Sequence, residues 1–160
     1  MKKLVALLLP LIFTLGLSAQ AEEVLRLVEQ MPRFPGCEDI ADETERRVCS
    51  EKELINFLST NLKYPAFARR KCVEGVCVVV FTVEKDGSIS DIDLVRDIGA
   101  GCGQESTRVV QEMVNQNIVW IPGTHEGETV RVRFTLPIKF LLEKGKTKKG
   151  FFKRLFSKND

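Results

Sequence analysis

The chain has 160 residues, with 24 basic and 22 acidic side chains and one histidine, so its formal net charge is only +2. The charge is unevenly placed, because residues 143–160 carry seven basic and two acidic side chains. The body of the chain, residues 1–142, therefore has more acidic than basic side chains. An acidic body lacks the dense positive charge that neutralises phosphates, which argues against a nucleic acid as partner. The length suffices for one domain with a hydrophobic core.

Residues 1–21 have the pattern of a secretory signal peptide. Two lysines precede an apolar run at 4–17, and the sequence AQA at 19–21 has the small-x-small form of a cleavage site. We therefore predict an exported protein whose mature chain begins at Glu22. An uncleaved anchor in the inner membrane is the alternative, but the run is shorter than the roughly 20 residues of a spanning helix and contains Pro10.

Residues 22–50 are predicted to form an N-terminal extension that contains a disulfide loop. Five cysteines in an exported chain suggest disulfides with one thiol left over. Cys37 and Cys49 are the predicted pair, because they bracket the charged stretch EDIADETERRV, which has too little apolar content to order itself. Closing a loop of about a dozen residues contributes roughly 3 kcal/mol in the chain-entropy model. The sequence leaves Cys72, Cys77 and Cys102 unassigned.

The first predicted helix runs from Glu51 to Leu62. Ser50 and Glu53 have the spacing of a capping box, and apolar residues follow at helical spacing. The dipeptide YP at 64–65 ends this helix, and residues 66–71 are a candidate for one further helical turn.

Two strands around an Asp-Gly turn come next. The pair Asp86-Gly87 is the strongest short hairpin signal in the chain. The first strand, residues 76–83, is apolar on both parities and is predicted to be central. The second strand, residues 89–95, carries Asp91 and Asp93 and is predicted to lie at an edge.

A glycine-rich turn, IGAGCG at 98–103, leads into the second predicted helix. One face of this helix is apolar: Val109, Val110, Met113 and Val114. Trp120 follows the helix, and it is either a core residue or a platform for a bound peptide.

The last predicted strand, VRVRFTLPIKFLL at 130–142, alternates apolar and polar residues but contains Pro137. Proline is tolerated in a strand where its missing N–H would point away from the neighbouring strand, so this strand is predicted to be an edge. Arg131, Arg133 and Thr135 share the parity of Pro137 and are expected to offer unpaired N–H groups. Such an edge binds an extended peptide by β-augmentation.

The order helix, strand, strand, helix, strand predicts an α+β fold over residues 51–142. The expected architecture is a small three-stranded antiparallel sheet in the order 2-1-3, with two helices on one face.

Six short motifs occur in a fixed order along residues 64–138. They are YP at 64–65, VEG at 73–75, DGSI at 86–89, the glycine turn at 99–103, WIPG at 120–123 and PI at 137–138. Together they resemble the C-terminal domain of TonB, the energy transducer that contacts outer-membrane receptors, and an ordered set is far more specific than any one motif. The stretch VEQMPRFPG at 28–36 looks like the segment that introduces this domain in Bacteroidetes-type versions.

The resemblance implies a sheet whose last strand accepts the TonB box, a short N-terminal peptide of a receptor plug. The peptide-binding residues implied on this strand are Val130, Arg131, Val132, Arg133, Phe134 and Thr135. The family's polar stretch before the Tyr-Pro pair also lies near the receptor, which here corresponds to Asn61, Lys63 and Tyr64. The implied process is TonB-dependent transmembrane transport, without catalysis, cofactor or metal.

Full-length transducers of the family also have a motor-engaging transmembrane helix and a long proline-rich spacer, which the sequence does not show. We therefore expect receptor binding rather than force transmission: a free periplasmic adaptor, a competitor of full-length transducers, or a domain for other peptides. A domain that homodimerises through the same edge strand is the alternative. A thiol-disulfide enzyme is disfavoured because the C-x-x-C spacing is absent.

Residues 143–160 are predicted to be a basic amphipathic tail. Its apolar residues lie on one side of a helical wheel: Phe151, Phe152, Leu155 and Phe156. This pattern is typical of a short interfacial helix on an anionic membrane surface. A solvated tail and packing over the open face of the sheet are the alternatives.

Overall fold

The computed structural model describes residues 23–142, so the predicted signal at 1–21 and the predicted basic tail at 143–160 lie outside the described residues. The elements in chain order are α1 (Glu43–Asn61), α2 (Ala66–Arg70), β1 (Gly75–Val83), β2 (Ile89–Arg96), α3 (Cys102–Asn115), β3 (Gly123–His125), β4 (Glu128–Val130) and β5 (Val132–Phe140). Strands β2, β1 and β5 form a three-stranded antiparallel sheet in that order. This confirms the predicted α+β fold and the predicted sheet order. Across residues 23–142, none of the helices has the length and apolar content that a membrane span requires.

The hydrophobic core lies on one face of the sheet. On this face Val79 and Phe81 of β1 lie beside Leu136 and Phe134 of β5. Both long helices contribute apolar side chains to the same cluster: Leu54, Leu58, Val109, Val110 and Met113. The two helices therefore cover one sheet face, as the sequence predicts, and the opposite face carries both apolar and polar side chains of the strands, including Val80 and Arg133.

Helix α1 begins at Glu43, so the predicted start at Glu51 is wrong. The side chain of Asp42 caps the helix by accepting a hydrogen bond from the backbone N–H of Glu45 at 2.8 Å. Asp42 and Glu45 have the same capping-box spacing as the pair at 50 and 53. Ser50 lies within α1 and is buried on the same helix face as Leu54 and Leu58. The stretch that was expected to be unordered between the cysteines therefore contains the first turn of α1.

The predicted disulfide between Cys37 and Cys49 is present, and it ties the turn before α1 to the helix itself. The remaining three cysteines are free thiols: Cys72 is exposed, whereas Cys77 and Cys102 are buried.

Removing this disulfide is expected to lower the free energy of unfolding by about 3 kcal/mol, because the bond restricts the unfolded chain. The test is urea denaturation of the double variant Cys37→Ser, Cys49→Ser under non-reducing conditions. Cys72→Ser is the matched control, since it replaces an exposed free thiol. A double variant as stable as the control would show that the bond does not contribute.

The region before β5 is a hairpin that the sequence analysis missed. Strands β3 and β4 pair through a two-residue loop, Glu126-Gly127, whose φ angles of 52° and 79° are both positive, as a type I′ turn requires. Val130 therefore ends β4, where it pairs with Gly123. The predicted strand at 130–142 is corrected to Val132–Phe140, because the chain turns a corner at Arg131 between two different sheets.

The N-terminal extension is hydrogen-bonded to this part of the domain. Gln30 exchanges two backbone hydrogen bonds with Thr124, at 3.1 and 2.9 Å, and Arg33 exchanges two with Ile121, at 3.0 and 2.9 Å. The extension thus adds an irregular strand beside β3 and reaches the beginning of β5.

Candidate peptide-binding edge

Strand β5 has one paired side and one outer side. From Val132 to Phe140 it pairs with β1, and Pro137 lies opposite Val78. The N–H of Arg133 points to the outer side, since it donates to the carbonyl of Leu25 at 2.9 Å. Residues of the same parity, including Pro137, therefore turn their backbone groups outward. The predicted edge position of the proline-bearing strand is confirmed.

The outer side is partly occupied by the protein's own extension. Leu25 forms an isolated parallel bridge with Val132, and its N–H donates to the carbonyl of Arg131 at 2.9 Å. The expectation of an unpaired N–H at Arg133 is therefore wrong. Among residues 23–142, no bridge to the outer side is formed at Thr135 or beyond it.

The two arginines of this region lie against carboxylates: Glu84 directly after β1, and Asp93 on β2. Arg131 contacts Glu84 through Nε and Oε2 at 2.6 Å and through Nη2 and Oε1 at 2.9 Å. Hydrogen bonds from Arg131 hold the pKa of Glu84 below its ordinary value. Arg133 contacts Asp93 at 3.1 Å on the exposed side of the sheet. The edge consequently presents less uncompensated positive charge than the sequence alone suggests.

On the core side, Phe134 belongs to an aromatic cluster. Its ring packs against Trp120 with centroids 5.0 Å apart, and Trp120 also contacts Phe81 and Phe34 edge-on at 5.4 and 5.6 Å. Trp120 is only 1% exposed, so it is a core residue and not an exposed platform. A cleft of about 350 Å³ between the extension and α1 is lined in part by Trp120 and Phe134.

Tyr64 lies at the opposite end of β5. Its ring packs edge-on against Phe140 with centroids 5.4 Å apart, and its hydroxyl donates to the carbonyl of Val73 at 2.5 Å. Burial raises the pKa of Tyr64 to about 12, so the phenol stays protonated at physiological pH. Phe140 lies six positions after Phe134 along the strand, which amounts to roughly 20 Å.

Asn61 and Lys63 are held by α3 and not by β5. The carbonyl of Asn61 accepts a hydrogen bond from Arg108 at 2.6 Å, and the backbone N–H of Lys63 donates to Glu105 at 2.6 Å. The structure therefore does not gather the predicted site residues into one site. Residues 132–135 lie at the start of β5, and Val130 ends β4 just before it. Tyr64 lies at the other end of β5, whereas Asn61 and Lys63 contact α3.

The buried thiol of Cys102 does not have the features of a reactive centre. Burial, with a further contribution from the nearby Cys77, raises the pKa of Cys102 to about 11. A protonated thiol is a poor nucleophile. Within the described part of the chain, no group of three or more histidine, cysteine or acidic side chains is arranged to hold a metal ion.

The sequence model described as Gram-negative bacterial TonB protein C-terminal matches residues 60–142, just over half of the chain. The chain belongs to the TonB C-terminal family. None of the curated protein sequences compared with the chain matches it.

Three solved TonB C-terminal domains are similar to the chain. Two NMR structures from Helicobacter pylori are 21% and 22% identical, with TM-scores of 0.45 and 0.42. They cover 59% and 56% of this chain, and 81% and 90% of their own chains. An NMR structure from Pseudomonas aeruginosa is 27% identical with a TM-score of 0.38, covering 52% of this chain and 81% of its own.

Membership of the TonB C-terminal family fixes the general process. Domains of this family serve TonB-dependent transport as energy-transducer domains and not as enzymes. They lie in the periplasm and generally interact with outer-membrane receptors.

Proposed function

We propose that the chain is a periplasmic TonB C-terminal module that binds the TonB box of an outer-membrane receptor by β-augmentation on β5. The observation that carries the proposal is the outward row of backbone groups from Arg131 to Thr135 on a strand whose inner side is fully paired. An extended peptide gains affinity from main-chain hydrogen bonds to such a row, and it gains specificity from the side chains on either face.

The contact of Leu25 supports the use of this edge by another strand. Its two hydrogen bonds of 2.9 Å to Arg131 and Arg133 have ordinary strand geometry, so the backbone of β5 already has the conformation that pairing with another strand requires. Pro137 limits how far the partner pairs, because it offers a carbonyl but no N–H. The TonB box is therefore expected to pair along residues 131–135, since Val130 belongs to β4 and pairs with Gly123.

The second group of predicted residues contacts the receptor elsewhere. Lys63 is exposed, and Tyr64 packs at the Phe140 end of β5, so these residues face a different part of the plug from the box itself. Because the start and the end of β5 lie roughly 20 Å apart along the strand, the two groups of residues form two separate contacts with the receptor and not one continuous site.

The proposed organisation has four parts. Residues 1–21 are a cleaved signal, residues 22–50 an extension closed by the Cys37–Cys49 bond, residues 51–142 the receptor-binding domain, and residues 143–160 a basic tail that contacts an anionic membrane surface. The bond itself is present in the structure and suits an exported protein.

Replacing Thr135 by proline is expected to weaken binding of a box peptide by about tenfold or more, since it removes an outward N–H and places a ring against the peptide. The fold should survive, because Pro137 already occupies the same parity two residues later. The bonds to Leu25 involve other residues and stay intact. Isothermal titration with synthetic plug N-terminal peptides from receptors of the same bacterium measures the effect.

Thr135→Val is the matched control, because it keeps the N–H and the approximate side-chain volume. Equal affinities of the proline and valine variants would contradict pairing at this edge. A weight-average mass that rises with concentration in the unmodified chain, and falls in Thr135→Pro, would instead indicate a homodimer through the same strand.

A further inference from the structure

The segment at residues 23–29, here called the strap, crosses the start of the proposed receptor edge. Leu25 of the strap donates its N–H to the carbonyl of Arg131 and accepts the N–H of Arg133, both at 2.9 Å. These are backbone groups at which the proposed function places the receptor peptide. One N–H donates to one strong acceptor at a time in a strand ladder, so the strap and the peptide cannot both pair with Arg133.

We propose that the strap is an internal competitor of the receptor peptide, and that the peptide binds to β5 by displacing it. The inference rests on the proposed function, because it assigns regulation to the same edge. It goes further in making the protein's own extension part of the binding equilibrium.

The strap is fastened far more loosely than the residues that follow it. Gln30 and Arg33 each exchange two backbone hydrogen bonds with the region of β3, which fixes the chain at the end of the strap. The strap itself is held by the two bonds of Leu25 and by the Glu29 carboxylate, which accepts from the N–H of Glu126 at 3.2 Å. Leu27 between them is 89% exposed. The strap is therefore able to leave β5 while the rest of the extension stays in place.

The size of the effect follows from the number of bonds that the peptide must replace. Two ordinary backbone hydrogen bonds, opposed by the entropy of ordering a short segment, favour the closed form over the open form by roughly tenfold. The apparent affinity for a peptide falls by the fraction of molecules whose edge is open. We therefore expect the strap to weaken peptide binding by about tenfold.

Leu25→Pro in the full chain tests the competition. Proline removes the N–H that donates to Arg131, whereas Leu27→Pro makes the same change at an exposed residue without a backbone bond to β5. The probes are the synthetic plug N-terminal peptides, and affinity is measured by titration calorimetry after thermal unfolding has shown that both variants are folded. Leu25→Pro should bind more tightly than the unmodified chain, by up to about tenfold, and Leu27→Pro should bind equally.

Amide hydrogen exchange in the unmodified chain gives a second readout, which does not depend on whether a variant folds. Saturating peptide should accelerate exchange at the Leu25 amide, because its acceptor on Arg131 is taken by the peptide. The Arg133 amide should stay protected, because the peptide supplies a new acceptor. A Leu25 amide that remains protected at saturation would overturn the proposal.

The outcomes separate the two proposals. If Leu25→Pro binds peptide no more tightly than the unmodified chain, while Thr135→Pro abolishes binding, the edge is the receptor site and the strap does not compete. If no peptide binds to the unmodified chain or to Leu25→Pro, both the proposed function and the strap's competing role are refuted.

Discussion

Replacing Gly87 by alanine is expected to destabilise the domain by about 4 kcal/mol, one of the two largest single-residue effects that the structure predicts. Gly87 has a φ of +81°, and a Cβ built on it would lie 2.1 Å from the carbonyl oxygen of Trp120 and 2.8 Å from a methyl group of Val119. A backbone atom cannot move aside as a flexible side chain does. The clash therefore adds to the ordinary penalty for a side chain in the left-handed region.

The Gly87 turn also connects two distant parts of the sequence. Its carbonyl accepts the N–H of Trp120 at 2.9 Å, and its own N–H donates to the carbonyl of Glu84 at 3.0 Å. An alanine at this position pushes the turn away from the core tryptophan and weakens the first of these bonds. The effect should thus appear both in the free energy of unfolding and in the fluorescence of the single tryptophan.

Gly127→Ala is the matched control for the turn. Gly127 has a nearly equal φ of +79°, but nothing lies within 4 Å of its Cβ position. Its replacement should cost only about 1 kcal/mol, the penalty for the backbone conformation. Urea denaturation of both variants gives the comparison. If the two alanines cost the same, the close approach to Trp120 has no energetic weight.

Strand order was predictable from the sequence because two residues constrain it strongly. Pro137 cannot donate to a ladder, which places its strand at an edge, and the turn at Gly87 joins two strands that must be neighbours. The first strand of that pair, residues 76–83, is apolar on both parities, so it is expected to be the central strand with one strand on each side. These constraints are local and need no knowledge of distant contacts.

The start of α1 was not predictable in the same way. Two capping-box patterns, at 42–45 and at 50–53, fit the helix equally well on local grounds. The choice between them depends on the disulfide at Cys49 and on the burial of Ser50, both of which are tertiary features. The strands β3 and β4 were missed because three residues are too few to show a periodicity, although the Glu-Gly pair of their turn was a usable signal.

The candidate site was predicted in part. The parity argument from Pro137 correctly oriented Arg133 toward the outer edge, but it did not reveal Leu25 as the partner. The stretch VLRLV around Leu25 is apolar apart from Arg26 and is compatible with a short strand, yet a sequence alone does not say which edge such a strand joins. The separation of Tyr64 from the start of β5 was also hidden, because it follows from the packing of the tyrosine on Phe140.

Replacing Trp120 by alanine is the other change with a large expected effect, a loss of about 4 kcal/mol in the free energy of unfolding. Trp120 joins the extension to the sheet, since its ring contacts Phe34 on one side and Phe81 and Phe134 on the other. It is 1% exposed, so truncation leaves a cavity that the surrounding aromatic rings cannot fill without moving.

Trp120→Phe separates the loss of volume from the loss of polarity. Among residues 23–142, no hydrogen-bond partner is present for the buried indole Nε1, so phenylalanine removes a donor without leaving an unpaired acceptor. This variant should cost only about 1–2 kcal/mol, for the smaller ring.

Phe67→Ala is the surface control, because that ring is 52% exposed and should contribute less than about 1 kcal/mol. Guanidinium denaturation followed by circular dichroism measures all three. A phenylalanine variant as unstable as the alanine variant would mean that the indole N–H is satisfied, by water or otherwise, and that aromatic packing alone does not hold the extension on the sheet.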